Sequence, residues 1–308
     1  MVTFRFYLVS LVAVFLALAM GVVVGSTLID RAIVDRLDRS VESVSDRLDR
    51  QQDENAELRE ELQELREYAD GTAPAVVDGT LDGGAVAVVA ERGVQPDVVE
   101  SAVSLLQQAD GTAPGILWLE PGWALADEAE RTRMAEALDV PVTGPGRLRD
   151  RAWGRLVTAL GGGSVQGDPL QELVDSGFVT YQDVGEVETG VDALAGAGEQ
   201  VVLVGGPGSQ LGPDLTLALG RGLVRAGVPA VVAEAWQEQD DEIARGTVAG
   251  LVRDQDDLSD AVSTVDDLDL VQGRVAATLA LADLRTGVRG HYGYGPGADR
   301  PAPERPAP

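Results

Sequence analysis

The sequence has no cysteine, no lysine and a single histidine, His291, in 308 residues. Without thiols it offers no disulfide framework, zinc finger, iron–sulfur cluster, thiolate copper site or cysteine nucleophile. Without lysine there is no phosphate-gripping P-loop of the usual kind and no side-chain amine for Schiff-base chemistry. One histidine leaves a Ser-His-Asp triad formally open but excludes a multi-histidine metal centre. Aromatic residues make up 4% of the chain, too few for the girdles of a transmembrane β-barrel. Positive charge is also scarce, since 24 arginines stand against 51 Asp and Glu for a net charge of −27. Nucleic acid and anionic headgroups are held through cations on phosphate, so no nucleic-acid partner is expected.

What the sequence has is first an uncharged run of 22 residues, Leu8 to Ile29 (LVSLVAVFLALAMGVVVGSTLI). As a helix it would reach roughly 33 Å, the thickness of a bilayer core. Residues 1–29 therefore read as a signal anchor that makes the membrane one partner of the chain. The competing reading is a cleaved signal peptide, because Ala17-Leu18-Ala19 has the small-x-small form of a cleavage site. Against cleavage, the apolar run continues ten residues beyond Ala19. Arg5 and the terminal amine precede the run with no acid beside them, so the positive-inside rule favours a single pass with a cytoplasmic N-terminus and an extracytoplasmic bulk.

Residues 30–69 carry a seven-residue repeat. Its a positions are Val34, Val41, Leu48, Asn55 and Leu62, and its d positions are Leu37, Val44, Gln51, Leu58 and Leu65. Eight of these ten are apolar, and neither Gly nor Pro interrupts the stretch from Val34 to Leu65. β-branched residues at a, Leu at d and one Asn at an a position suit a parallel two-stranded coiled coil, hence a homodimer. The g residues Glu54 and Glu61 would face the e residues Arg59 and Arg66 of the other helix. The alternative is an amphipathic helix packed on its own domain.

From 70 to 295 the composition shifts to Gly, Ala, Val and Pro, and short apolar runs alternate with helical stretches. Strands are expected at Ala85–Ala90, Ile116–Leu119, Phe178–Gln182, Val201–Val204, Val228–Ala233 and Ala261–Val265. Helices are expected near Asp97–Gln108, Ala126–Leu138, Arg151–Leu160 and Pro213–Arg225, with an amphipathic one at Gly273–Arg285. Two strand–helix–strand units imply an α/β domain with a mostly parallel sheet. Asp-Gly-Thr-Ala-Pro occurs at Asp70–Pro74 and again at Asp110–Pro114, read as two similar turns. The last stretch, 296–308, has five prolines among thirteen residues and reads as a disordered Pro-rich tail.

Candidate sites are few. Gly205, Gly206, Gly208 and Ser209 lie in a loop after a strand and before a helix, where α/β proteins bind phosphate on backbone amides; a tight turn is the competing reading. The acidic clusters Gln237–Glu242 and Asp254–Asp260 lack the spacing of a calcium loop and read as solvated faces. Asp266 and Asp267, at a strand end, form a pair of adjacent acids. His291 lies in Gly290-His291-Tyr292-Gly293-Tyr294-Gly295, either a backbone-shaped binding loop or a compact turn, and it is the one imidazole a metal would find. No catalytic residue and no cofactor-binding residue can be assigned, and the chain does not read as an enzyme.

Three stretches together resemble the actinobacterial copper transport protein family MctB: Leu8–Ser26 (LVSLVAVFLALAMGVVVGS), Ser263–Asp267 (STVDD) and Leu279–Gly295 (LALADLRTGVRGHYGYG). The order of span, coiled coil, α/β region and HYG ending agrees as well. The resemblance implies a cell-envelope protein of copper efflux or homeostasis, described as an outer-membrane channel, with copper as a transported ion. The alternatives are a dimeric, membrane-anchored scaffold whose α/β domain binds an envelope protein partner, and a small-ligand receptor or enzyme using the crevice at the sheet's carboxyl edge.

Overall fold

Stretches such as Val86-Ala87-Val88-Val89-Ala90 are apolar on both faces, which is stable only in a sheet covered on both sides. The computed structural model describes residues 3–163, 167–185, 189–236 and 245–304, giving the backbone alone for 3–5 and 26–43. The elements are α1 (Thr3–Val77), β1 (Val86–Glu91), α2 (Pro96–Gln108), β2 (Gly115–Leu119), α3 (Glu128–Ala137), α4 (Pro145–Leu160), α5 (Pro169–Asp175), β3 (Val179–Asp183), β4 (Gln200–Gly205), α6 (Pro213–Ala226), β5 (Ala230–Glu234), α7 (Ala249–Arg253), α8 (Asp256–Ser259), β6 (Ser263–Val265), α9 (Val271–Leu284) and β7 (His291–Tyr292). The chain divides into two units, Met1–Leu65 and Arg66–Pro308.

The first unit is helix alone among the described residues. Phe6–Gly25 is long and apolar enough to cross a membrane, and Phe6 and Tyr7 stand exposed at its start, where aromatic side chains suit a membrane interface. Further along, Val44, Leu48, Leu58, Leu62 and Leu65 are also exposed. The side chains of Val34, Leu37 and Val41 lie outside the described residues.

In the second unit the sheet runs β3-β2-β1-β4-β5-β6-β7, parallel throughout except for β3 on β2. Alternate residues of β1 serve the two faces. Val86, Val88 and Ala90 join a core with α2 and α9, while Ala87 and Val89 join one with α3, α4, α5 and α6. At the second of these cores Trp123 meets Trp153 edge to face at 6.1 Å, and the Trp153 indole donates to the Leu219 carbonyl at 2.9 Å.

Four sequence expectations need correction. Asp70–Pro74 is not a turn: α1 continues to Val77 with Pro74 inside it, because Ala73 and Val77 are buried in the α2/α9 core. Asp110–Pro114 does turn, with Asp110 in the left-handed region. The helix expected at Arg151–Leu160 begins at Pro145, whose fixed φ and missing N–H suit a first helical turn. The helix at Gly273–Arg285 is not amphipathic. Its buried positions include every residue from Ala276 to Leu281, so its small apolar residues are enclosed all round. Finally, 296–304 is not loose: Gly293 N–H donates to the Arg300 carbonyl at 3.0 Å, Asp299 N–H to that of His291 at 2.8 Å, and Pro303 is buried. Backbone pairing to β7 outweighs what a Pro-rich composition suggests.

Candidate functional site

The parallel strands end together along one edge of the sheet, and the helices departing on either face diverge at β1 and β4, where folds of this class form a crevice. β1 ends in Glu91, which is fully buried. Its carboxylate accepts from the Thr216 hydroxyl at 2.5 Å and from the Ser209 hydroxyl. Burial pushes the Glu91 carboxyl above its usual range, against the lowering effect of those two hydroxyls. The loop with Gly205, Gly206, Gly208 and Ser209 does lie between β4 and α6, and Gly206 has φ +155°. The acid beside it, however, is Glu91 of the same chain.

The mouth of the crevice is closed by backbone. Gln210 N–H donates to the Arg92 carbonyl at 2.9 Å, and a Cβ on Gly93 would stand 2.1 Å from the Gly208 carbonyl oxygen. Arg92 bonds Glu120 at 2.5 Å and lies 4.8 Å from the centre of the Trp118 ring. Burial works against ionisation of Glu120, yet the Arg92 and Thr180 bonds outweigh it and hold that carboxyl below its usual range. Beside the loop, Gly206, Pro207, Ser209, Gly212, Thr247 and Val248 line a mainly apolar cleft of about 260 Å³.

The same arrangement recurs at β5. Its last residue, Glu234, accepts from the N–H groups of Gly246 (3.0 Å), Thr247 (3.2 Å), Val248 (2.7 Å) and Ala249 (3.0 Å). Backbone amides in this arrangement, leading into the short helix α7, are the donors that bind anions elsewhere. Here a side chain of the domain already occupies them.

After β6 comes Asp266. It pairs with Arg253 at 2.6 Å and accepts from Tyr294 N–H at 2.8 Å and Gly295 N–H at 2.9 Å. Arg253 also donates to the Thr264 hydroxyl oxygen (2.7 Å) and to the carbonyls of Tyr292 (2.8 Å) and Pro296 (3.0 Å). The Gly-His-Tyr-Gly-Tyr-Gly ending thus wraps a buried ion pair. Glycine is required at 293, where φ is +121° and a Cβ would fall 2.1 Å from an Asp266 oxygen.

His291 sits on the rim of this cluster. Its Nδ1 is 3.0 Å from the Thr264 hydroxyl. Burial and then the Arg253 charge hold its pKa below the ordinary value. A guanidinium behind Thr264 disfavours a cation there. Among the described residues no three or more His, Cys, Asp and Glu side chains stand together as a metal site. The cluster Gln237–Glu242 lies outside the described residues, and in Asp254–Asp260 Asp257 pairs with Arg221 at 2.8 Å.

Asp267, next to Asp266, behaves differently. It is fully buried, and among the described residues neither carboxylate oxygen has a hydrogen-bond partner. Burial, then the charges of Asp266 and Asp269, push its carboxyl up to about 7, against the lowering effect of Arg245. The roles of Glu91, Glu234 and Arg253 were not read from the sequence. A signal was present, since an acid ends two of these strands, VAVVAE and AVVAE, and directly follows the third, STV.

A family model described as copper transport outer membrane protein, MctB, matches residues 1–303. The protein named copper transporter MctB from Mycobacterium tuberculosis is 29% identical over 315 residues, covering 97% of this chain and 98% of the relative. Its namesake in Mycobacterium leprae is 27% identical over 316 residues, with the same coverage. With the match running from the apolar helix through the Gly-Tyr-Gly ending, the chain belongs to the MctB family.

Proposed function

We propose that the chain is a membrane-anchored component of copper transport or copper homeostasis in the cell envelope. The observation that carries this reading is the family match across residues 1–303, by a model described as a copper transport outer membrane protein. Curated relatives named copper transporters, matched over 97% of the chain, support it. The apolar helix Phe6–Gly25 supports membrane attachment. The placement of Arg5 favours a cytoplasmic N-terminus with the α/β unit outside. Copper is cargo in this reading, with no resident cofactor and no catalytic step.

The buried carboxylates give the α/β unit a structural role in that task. Glu91, Glu234 and Asp266 bond donors of their own chain, so the loops at the carboxyl edge of the sheet are held by internal acid side chains. The test is deletion of the gene followed by complementation. Loss should lower copper tolerance and raise cell copper, and both the wild type and His291→Ala should restore tolerance. A deletion strain with parental tolerance and copper content would refute the reading. A folded, normally expressed His291→Ala protein that fails to complement would instead give that imidazole a part in handling copper.

A further inference from the structure

Among the described residues, the apolar stripe on α1 is exposed. Val44, Leu48, Leu58, Leu62 and Leu65 are between 50% and 64% exposed, although they recur at the a and d positions of a seven-residue repeat. Aliphatic side chains at this spacing form one seam along a helix, and such a seam is stable in water when a second helix covers it. We infer that the occupant is a second copy of this chain, aligned parallel and in register over Val34–Leu65. This rests on α1 alone, not on the copper reading.

Charge selects both the partner and its direction. Position g carries Glu54 and Glu61, and position e carries Arg59 and Arg66. In a parallel, in-register pair each g residue faces the e residue five positions on in the other copy, so Glu54 meets Arg59 and Glu61 meets Arg66. An antiparallel pair sets g against g and e against e, so it forms neither of these Glu–Arg pairs. The ion pairs found among the described residues use none of these four side chains.

Asn55 agrees with the same arrangement. In the single chain its side-chain amide donates to the carbonyl of Gln51 at 2.8 Å. At an a position in a parallel pair it faces its own counterpart, and a buried polar layer of this kind fixes register and two-strandedness. In an antiparallel pair an a residue faces a d residue, so Asn55 would not meet its own counterpart; the register that matches apolar with apolar (Val41 with Leu65, Val44 with Leu62, Leu48 with Leu58) sets it against Gln51 instead.

The absence of native cysteine makes the test direct, because an introduced thiol can join only to its own counterpart. Asn55→Cys, Leu58→Cys and Leu62→Cys place thiols on the seam, while Glu60→Cys places one at the outward f position. In the full-length protein, purified in detergent and mildly oxidised, the three seam variants should form covalent dimers at least about tenfold faster than Glu60→Cys, since a disulfide needs Cβ atoms about 4 Å apart. Adding Glu54→Arg and Glu61→Arg to Leu62→Cys should slow its dimer formation about tenfold, and Arg59→Glu with Arg66→Glu should then restore it. Equal rates at all four sites, or no covalent dimer at any seam site, would overturn the inference. So would joining in a mixture of Leu48→Cys and Leu58→Cys chains but in neither alone, which is the antiparallel result.

Discussion

Replacing Asp267 with Asn should remove a stability cost that the wild-type protein bears only above acidic pH. The carboxyl is fully buried, has no hydrogen-bond partner among the described residues, and is pushed up to about 7 in the folded chain, against an ordinary 3.8. Between those two values the unfolded chain has already released the proton while the folded chain still holds it, so raising the pH favours unfolding. At about 1.4 kcal/mol for each pH unit separating the two values, the loss reaches about 4 kcal/mol once the pH exceeds about 7. Asn is neutral throughout, so its advantage over Asp should be smallest near pH 4 and grow by about 4 kcal/mol toward pH 8. Denaturant unfolding followed by tryptophan fluorescence measures this in the full-length protein. Trp118, Trp123 and Trp153 are buried and all belong to the second unit, so the signal reports its unfolding. If the unfolding free energies of the two proteins keep a constant difference from about pH 4 to about pH 8, the reasoning is refuted.

Asp266→Asn should cost much more at neutral pH, about 3–5 kcal/mol, because it leaves the Arg253 guanidinium buried without its counter-ion. The same measurement checks it, and limited proteolysis should show cleavage near Tyr292–Pro296 in the variant but not in the wild type. Gly93→Ala should destabilise the domain by at least about 2 kcal/mol, since φ there is +103° and the new Cβ would meet the Gly208 carbonyl. A neutral result in denaturant unfolding would mean that the two loops are not pressed together.

Much of the layout can be read in the sequence for physical reasons that act locally. Strands β1, β2, β4, β5 and β6 fall within two residues of the apolar runs that predict them, because a strand buried on both faces must be apolar without alternation. The helix at Pro213 is legible from the same periodicity, and its N-terminal proline marks where it begins. The candidate site is legible only in part. The corner Gly205–Ser209 and the acids 266 and 267 can be picked out, but their partners come from distant segments. Ser209 meets a carboxylate 118 positions away, and the pair of Arg253 with Asp266 gains meaning only when the Tyr294 and Gly295 amides close over it.

By itself the sequence determines an apolar helix at the start, a heptad stripe after it and a domain of buried strands alternating with helices. These are properties of residue period and hydrophobicity along the chain. Tertiary structure alone decides how each strand-end acid is used. Glu91, Glu234, Asp266 and Asp267 look alike in the sequence, yet the first three are satisfied by donors and the fourth is left with none. The difference lies in which hydroxyls, amides and guanidinium folding brings to each, because a carboxylate's energy in a protein interior is set by its nearest donors and charges. Tertiary packing likewise makes helix of Asp70–Pro74 and turn of Asp110–Pro114, two identical pentapeptides separated only by what their neighbours bury.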